Sequence, residues 1–511
     1  MTHGISDQLL AQCSEFVTAR LGLHFPRKRW RDLEQRVGGA CRDFGFDDPT
    51  SCLRWLVTAQ LTRDQLHMLA GRLTIGETYF FREERSFEAL ETHIIPEILA
   101  ARRGTVKRLR IWCAGCSTGE EPYSIAILLH RMIADLPQWN VTILATDINP
   151  ASLRKGVQGE YGEWSFRGTP RWVRERYFTK NREGRFEIVA PIRKMVTFAP
   201  LNLAEDPYPS LSNNTNAMDV IFCRNVLMYF APEHARRVVE KLHHSLVPDG
   251  WLAVSPCETT HGNFQDFEAV HFSNAFFYRK NGNRRSLTTP PLEPFAGTAP
   301  PSPPLAALQQ VVPPFPASSR PVPPVSIPIP APEAARPRLS PYDEALALYR
   351  QGLYEDAATK LSGMLAEGDG ADRSSFYGEA ATLMARLHAN RGDFPAALAW
   401  AGKAVAVNKL DPELRYLQAV IHQEQGELDA ATAALKKTLY LDQTFVLAHF
   451  ALAILSRQRG RIKDAEKHLD NARSLLDGCG DDDILPGSEG MSARRLREII
   501  ASTSWNGTVN R

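Results

Sequence analysis

The 511-residue sequence has no uninterrupted run of 18 apolar residues and no N-terminal signal with an apolar centre. These absences argue against direct membrane insertion and against export, and the expectation is a cytoplasmic protein. Cysteine is sparse: eight residues, at 13, 41, 52, 113, 116, 223, 257 and 479, share no repeated spacing. A disulfide framework is therefore not expected. Cys113 and Cys116 make a single C-x-x-C, but there is no second pair and no thioredoxin-like context. They read as small buried thiols at a strand end. Neither sign of charge dominates, with 60 Lys and Arg against 58 Asp and Glu. A formal charge of +2 argues against a dedicated nucleic-acid binder. No catalytic triad and no set of metal ligands stands out.

What is present is an ordinary globular composition, 43% hydrophobic and 23% charged, long enough for three or four domains. The most informative stretch is Ile111-Trp-Cys-Ala-Gly-Cys-Ser-Thr-Gly-Glu-Glu-Pro-Tyr-Ser-Ile125. It reads as a buried strand, a glycine-bracketed polar loop and a helix, with Ser117 and Thr118 as helix caps and Pro122 in the first turn. Such a unit lets a nucleotide-like ligand approach the backbone in an open α/β sheet. Lys-Ser/Thr does not follow the glycines, so this is no P-loop, and the loop is not a strict G-x-G-x-x-G. Downstream, Val141-Thr-Ile-Leu-Ala-Thr-Asp147 reads as a second strand ending in an acid. Asp147 can accept from both ribose hydroxyls of such a ligand, or it can cap the helix before Asn149-Pro150.

Four changes of pattern divide the chain. Residues 1–73 are helical, with apolar residues at Leu9, Leu10, Phe16, Val17, Leu53, Leu56, Val57 and Leu61. Between Arg20 and Arg42 this part carries seven basic residues against two acidic ones, either a solvated face or a docking surface for an acidic partner. Residues 74–282 alternate strand and helix patterns, with strands expected at 108–113, 141–146, 195–199, 218–223 and 250–255. An insertion near 158–194 reads as a small helix with antiparallel strands. Residues 283–340 are proline-rich and form a semi-rigid linker.

Past the linker, over 341–478, Gly392, Gly426 and Gly460 stand 34 residues apart. Each has an alanine seven residues before it (Ala385, Ala419, Ala453) and another five after it (Ala397, Ala431, Ala465), and Gly352 with Ala357 is a divergent earlier copy. That is the tetratricopeptide period, in which stacked helix pairs form a groove for a protein or peptide. Residues 479–511 read as a tail.

Three further segments offer polar groups to the same crevice. Leu73-Thr-Ile-Gly-Glu-Thr-Tyr-Phe-Phe-Arg-Glu83 lies at the junction of the helical and α/β parts, where its aromatics also suit an interdomain core. Asn202, in Ala199-Pro-Leu-Asn-Leu203, can present its amide or its neighbours' backbone to an adenine edge. Arg224-Asn225 follows the strand within Met218-Asp-Val-Ile-Phe-Cys-Arg-Asn-Val-Leu-Met-Tyr-Phe230. In open α/β sheets ligands sit at that carboxyl edge.

Together these segments, over roughly residues 5 to 280, resemble the CheR family of chemotaxis-receptor glutamate methyltransferases. The resemblance implies a Rossmann-like α/β methyltransferase domain behind an all-helical N-terminal domain, with S-adenosyl-L-methionine as cofactor. It puts Gly76, Thr78, Arg82, Glu121, Asp147, Asn202, Leu203, Arg224 and Asn225 at cofactor-contacting positions, and Tyr229 close to the transferred methyl. Gly76 stands where the family often has asparagine, so only a backbone contact is expected there. Only Thr179-Lys-Asn-Arg-Glu-Gly184 follows the Tyr177-Phe178 pair, whereas members that tether to a receptor's C-terminal pentapeptide have a longer loop. Tethering of that kind is not expected. The added tetratricopeptide repeats resemble the subclass serving Wsp-type surface-sensing and biofilm pathways. The implied partners are the cytoplasmic domain of a methyl-accepting receptor and a protein or peptide held by the repeats.

Glutamate is already ionised near neutrality and needs no general base to attack a sulfonium methyl. Arg82 is the choice for holding a carboxylate and Tyr229 for positioning the reacting groups, against the plainer roles of surface ion pair and core tyrosine. Two other readings compete. One is a small-molecule or nucleic-acid methyltransferase, although amine methylation commonly uses Asn/Asp-Pro-Pro-Tyr/Phe where this chain has Cys-Arg-Asn-Val. The other is a repeat scaffold with a non-catalytic cofactor-binding domain.

Overall fold

The computed structural model describes residues 5–281 and 340–502, apart from 75, 103–106, 212, 261, 273–274, 351–353 and 368–372. The proline-rich linker and Gly352 fall outside the described residues.

Four helices open the chain: α1 (Asp7–Leu21), α2 (Trp30–Asp43), α3 (Pro49–Thr58) and α4 (Arg63–Leu73). Their ends are set locally. The Ser6 side chain caps α1 and left-handed Gly22 stops it; Asp48 caps α3, with Pro49 in its first turn; Thr62 and Gln65 form a capping box on α4. Cys13, Val17, Leu33, Val37, Leu53, Leu56 and Leu69 fill the core between them. Two of the scattered cysteines meet here, in a disulfide from Cys41 on α2 to Cys52 on α3. The scattered spacing did not reveal this pairing, because helix packing creates it. Part of the basic cluster is neutralised within the bundle, by Arg27–Asp7, Arg29–Asp32 and Arg36–Asp32 pairs.

Two short helices, α5 (Glu84–Ala89) and α6 (Ile95–Ala101), lead into the sheet. All five expected strands form, as β1 (Arg108–Ala114), β2 (Asn140–Asp147), β6 (Val196–Pro200), β7 (Met218–Phe222) and β8 (Leu246–Val254). They run parallel, in the order β6-β2-β1-β7-β8. Helices α7 (Glu120–Met132), α8 (Pro150–Gln158) and α11 (Pro232–Ser245) make the crossovers. An antiparallel hairpin absent from the sequence reading, β9 (Phe267–Phe272) and β10 (Ala275–Lys280), extends the sheet through β10 against β8. The insertion is a three-stranded antiparallel sheet of β3 (Glu160–Tyr161), β4 (Phe178–Lys180) and β5 (Phe186–Ile188), with short helices α9 (Arg171–Tyr177) and α10 (Ala190–Arg193). Phe80 joins it to the junction segment by packing on Tyr161, Phe166 and Phe178.

Eight helices follow in pairs: α12 (Pro341–Arg350) with α13 (Tyr354–Glu367), α14 (Arg373–Asn390) with α15 (Phe394–Val407), α16 (Pro412–Glu424) with α17 (Leu428–Leu441), and α18 (Val446–Gln458) with α19 (Ile462–Asp477). Gly392, Gly426 and Gly460 sit in the turns inside the last three pairs, all left-handed. The six alanines at fixed offsets are all buried, where a larger side chain would hold the helices apart. The final stretch is not a bare tail, since α20 (Ala493–Ser502) buries Leu496 and Ile500 against the last pair.

The array packs on the amino-terminal ends of β1 and β2, the far edge of the sheet from the crevice. Arg110, buried on β1, pairs with Glu424. The Arg108 guanidinium lies 4.5 Å from the Phe394 ring centre, and Asn140 Nδ2 donates to the Glu424 carbonyl at 3.2 Å. No helix among the described residues is long and apolar enough to cross a membrane.

Candidate active site

At the carboxyl end of β1 the chain turns on two left-handed glycines, Gly115 (φ 86°) and Gly119 (φ 94°). A Cβ on Gly115 would come within 2.4 Å of Val226, so backbone is all that fits there. Helix α7 starts at Glu120 with Gly119 as its cap, not with Ser117 or Thr118. Both polar residues are drawn elsewhere: the Ser117 N–H donates to Asp147 at 2.8 Å, and Thr118 Oγ1 donates to Glu120 at 2.6 Å. Asn149, not Asp147, caps α8. The second Asp147 oxygen accepts from the Asn149 N–H at 2.8 Å. Burial pushes the Asp147 carboxyl up, against the pull of these backbone donors.

On the other side of the loop, a buried network joins three segments. The Arg224 side chain is 2% exposed and pairs with Glu83 at 2.9 Å and Glu121 at 3.2 Å. It also donates to the Arg82 carbonyl at 2.6 Å. Burial raises the Glu121 carboxyl, and the Arg224 charge opposes that. Asn225 has a left-handed backbone (φ 58°), held by Glu258. The buried Glu258 carboxylate accepts from the N–H groups of Asn225 (2.7 Å), Val226 (2.6 Å) and Ser255 (3.0 Å). Neither Glu83 nor Glu258 figured among the sequence candidates. A signal for Glu258 did exist, since Ser255-Pro-Cys-Glu258 is a capping-box pattern and forms one.

Between the helical bundle and this strand edge opens a cleft with about 100 Å³ of free internal volume. Gly76, Asp147, Asn202, Leu203, Asn225 and Tyr229 all border it, as do Gly115 and Ser117. Thr78, Arg82, Glu121 and Arg224 do not; the last two form the buried network behind it, and Arg82 donates to the Glu77 carbonyl near the Tyr79 ring. The Asn202 amide is already engaged, donating to the Arg20 carbonyl at 3.1 Å and accepting from the Ala204 N–H at 3.0 Å. Its place on the wall is therefore fixed from the bundle side. His24 and Arg29 of the bundle reach the cleft as well. The His24 N–H donates to the Tyr229 carbonyl at 2.7 Å, tying bundle to sheet. Burial raises the Tyr229 phenol, with Arg29, Arg82 and Arg36 pulling the other way.

A family model described as the CheR methyltransferase, SAM-binding domain matches residues 76–276. A chemotaxis protein methyltransferase of Borreliella burgdorferi is 30% identical over 261 residues, covering 51% of this chain and 90% of that one. The chain belongs to the chemotaxis protein methyltransferase family. Chemotaxis protein methyltransferase 2 of Vibrio cholerae is 34% identical (43% of this chain, 75% of that one), and chemotaxis protein methyltransferase 1 of Pseudomonas aeruginosa is 35% identical (42% and 76%). A tetratricopeptide repeat model matches residues 378–403 and 412–437. The enzyme class is therefore S-adenosylmethionine-dependent protein-glutamate methyltransferase, joined to repeats of a protein-binding type.

The cleft fits that cofactor on its own terms. Gly115 leaves bare backbone at its wall, and Ser117 Oγ is buried with no partner. Asp147 spends one acceptor position per oxygen on backbone, which leaves two of about four for hydroxyl groups.

Proposed function

We propose that this enzyme methylates glutamate side chains on the cytoplasmic domain of a methyl-accepting receptor, in a chemosensory or surface-sensing pathway of the biofilm type. The observation that carries the reading is the cleft shared by the basic bundle and the strand edge, with Tyr229 at their contact. In this reading Asp147 takes the ribose hydroxyls, Gly76, Asn202, Leu203 and Asn225 frame the rest of the cofactor, and Arg224 with Glu121 holds the frame in place. Thr78 and Arg82 close the junction side. S-adenosylmethionine supplies a methyl group on a positively charged sulfur. Arg82 holds the incoming carboxylate, and the Tyr229 hydroxyl donates a hydrogen bond that orients it. No residue need take a proton, because the glutamate attacks as the anion. Alignment of this kind can contribute several kcal/mol, up to about 7–11 in favourable cases.

The chain's division at 73, 282, 340 and 478, a cytoplasmic location and recruitment without a pentapeptide tether belong to the same proposal. The family membership and the short β4–β5 turn support it. Incubation of the enzyme with tritiated cofactor, receptor-bearing membranes and DNA tests it. Alkali-labile label on the receptor is expected, since a carboxyl methyl ester hydrolyses to methanol. Base-stable label on DNA, with none on receptor, would refute it.

A further inference from the structure

The repeat array contains a carboxylate site that methyl transfer does not use. In the segment after α19, Glu489 adopts a left-handed backbone (φ 53°) beside Gly490 (φ 107°). That conformation costs a non-glycine residue about 1 kcal/mol or more, so the surroundings must hold it. They do. One Glu489 oxygen accepts from Tyr349 Oη at 2.8 Å and lies 3.7 Å from Arg386 Nε. The other accepts from Ser210 Oγ at 3.2 Å and the Leu211 N–H at 3.3 Å. Asn390 Nδ2 donates to Tyr349 Oη at 3.0 Å and orients the phenol. Tyr349, Arg386 and Asn390 belong to α12 and α14, the first helices of successive pairs and so the face that forms the groove of such arrays.

With the turn in place the groove is nearly full. A cavity of about 10 Å³, room for about one water, adjoins the carboxylate, bordered by Leu211, Arg386, Glu413, Tyr416, Leu417 and Glu489. Gly487 seats the segment closely, because a Cβ there would lie 3.1 Å from both Phe445 and Tyr416. The arrangement is that of a bound acidic turn: a cation, a phenol, a backbone N–H and a hydroxyl converge on one carboxylate.

We infer that this groove is a binding site for a glutamate-bearing peptide segment of a partner protein, which the chain's own Gly487–Gly490 turn occupies until displaced. The inference rests on the reading of the repeats as a protein-binding module and is independent of methyl transfer. It also links the groove to the cleft. Displacing Glu489 removes its bonds to Ser210 and Leu211, whose chain runs back to Tyr208, and the Tyr208 hydroxyl donates to the carbonyl of cleft residue Leu203 at 2.9 Å.

The test uses the full chain and a labelled synthetic peptide of residues 483–492, Asp-Ile-Leu-Pro-Gly-Ser-Glu-Gly-Met-Ser. The unaltered chain should bind it weakly, because the resident turn competes at an effective concentration of about millimolar. Glu489→Lys sets like charges beside Arg386, expels the turn and should tighten peptide binding at least about tenfold. A peptide with alanine for its glutamate should not bind, and adding Arg386→Met should abolish the gain. Equal binding by the Glu489→Lys and unaltered chains, or by both peptides, overturns the inference. A cooperative thermal transition checks that Glu489→Lys folds. If it does not, amide exchange at Leu211 of the unaltered chain under excess peptide decides: faster exchange supports the inference and unchanged exchange overturns it. A purified partner that the array binds without competition from the peptide would sink the groove and leave the array's binding role standing.

Discussion

Replacing Asp147 by alanine separates ligand binding from loop structure. Each carboxylate oxygen already accepts one backbone N–H at 2.8 Å, from Ser117 and from Asn149. The two remaining acceptor positions are those available to ribose hydroxyls. Hydrogen bonds to a charged group contribute about 1.5–3 kcal/mol each, so the pair is worth about 3–6 kcal/mol. Water filling the alanine site recovers roughly half, which leaves about 1.5–3 kcal/mol or roughly a 10- to 150-fold loss of affinity. The stranded Ser117 and Asn149 N–H groups burden the free and bound enzyme alike, so their cost falls on stability. It is offset in part by removing a carboxylate that burial disfavours. Calorimetric titration with S-adenosylhomocysteine, the demethylated product, measures the affinity, and a melting curve measures the rest. A change in affinity below about threefold in a folded variant would mean that Asp147 is a strut of the loop and no ligand contact.

Arg224→Met should strand Glu83 and Glu121 as a half-buried like-charge pair and cost up to about 3 kcal/mol in denaturant unfolding. Adding Glu83→Gln and Glu121→Gln should restore much of that. Partial burial, with the Lys280 charge nearby, pushes half-buried His243 and His244 down from 6.5 to about 3 and about 4 in the folded chain. Below pH 6.5 the unfolded chain therefore binds more protons, and stability falls as pH falls, by up to about 4 kcal/mol between pH 6.5 and about pH 5. Denaturant midpoints across that window check the slope, which should flatten when both residues become glutamine. A chain ending at residue 282 should still transfer methyl groups to a receptor fragment, because the array docks at the far edge of the sheet from the cleft. Loss of transfer would mean that the array completes the active site.

The strand ends were legible in the sequence because a parallel α/β sheet delivers them all to one edge, whatever joins the strands. Asp147, Asn202 and Asn225 therefore reach the cleft together. The carboxylates that hold the frame were harder to see. Glu83 and Glu258 act on residues far away in the chain, and only packing discloses that an arginine or a turn of N–H groups awaits them. Arg224 shows the same limit from the other side. Its place after a strand marked it as a ligand contact, yet it lies behind the cleft between two acids. Glu489 was invisible for another reason: the stretch from Gly480 to Gly490 has no periodicity, and its role arises from the groove around it.

The edge where the array meets the sheet has a consequence for how the two halves live apart. Its polar side chains include Arg108, Arg110, Asn140 and Glu424. Separation would uncover guanidinium and carboxylate groups and also apolar surface: Leu211 would leave the cluster around Phe394, Val247 and Ala217 the Gly392 turn, and β6 and α8 their contact with α20. A catalytic half released by proteolysis, or inherited without the repeats, would carry a mixed scar, with Arg110 stripped of its carboxylate beside newly exposed apolar side chains. The Arg110–Glu424 pair, almost wholly shielded from solvent, is little screened by salt. Ionic strength alone should therefore leave the joint closed, with both halves in one compact unit.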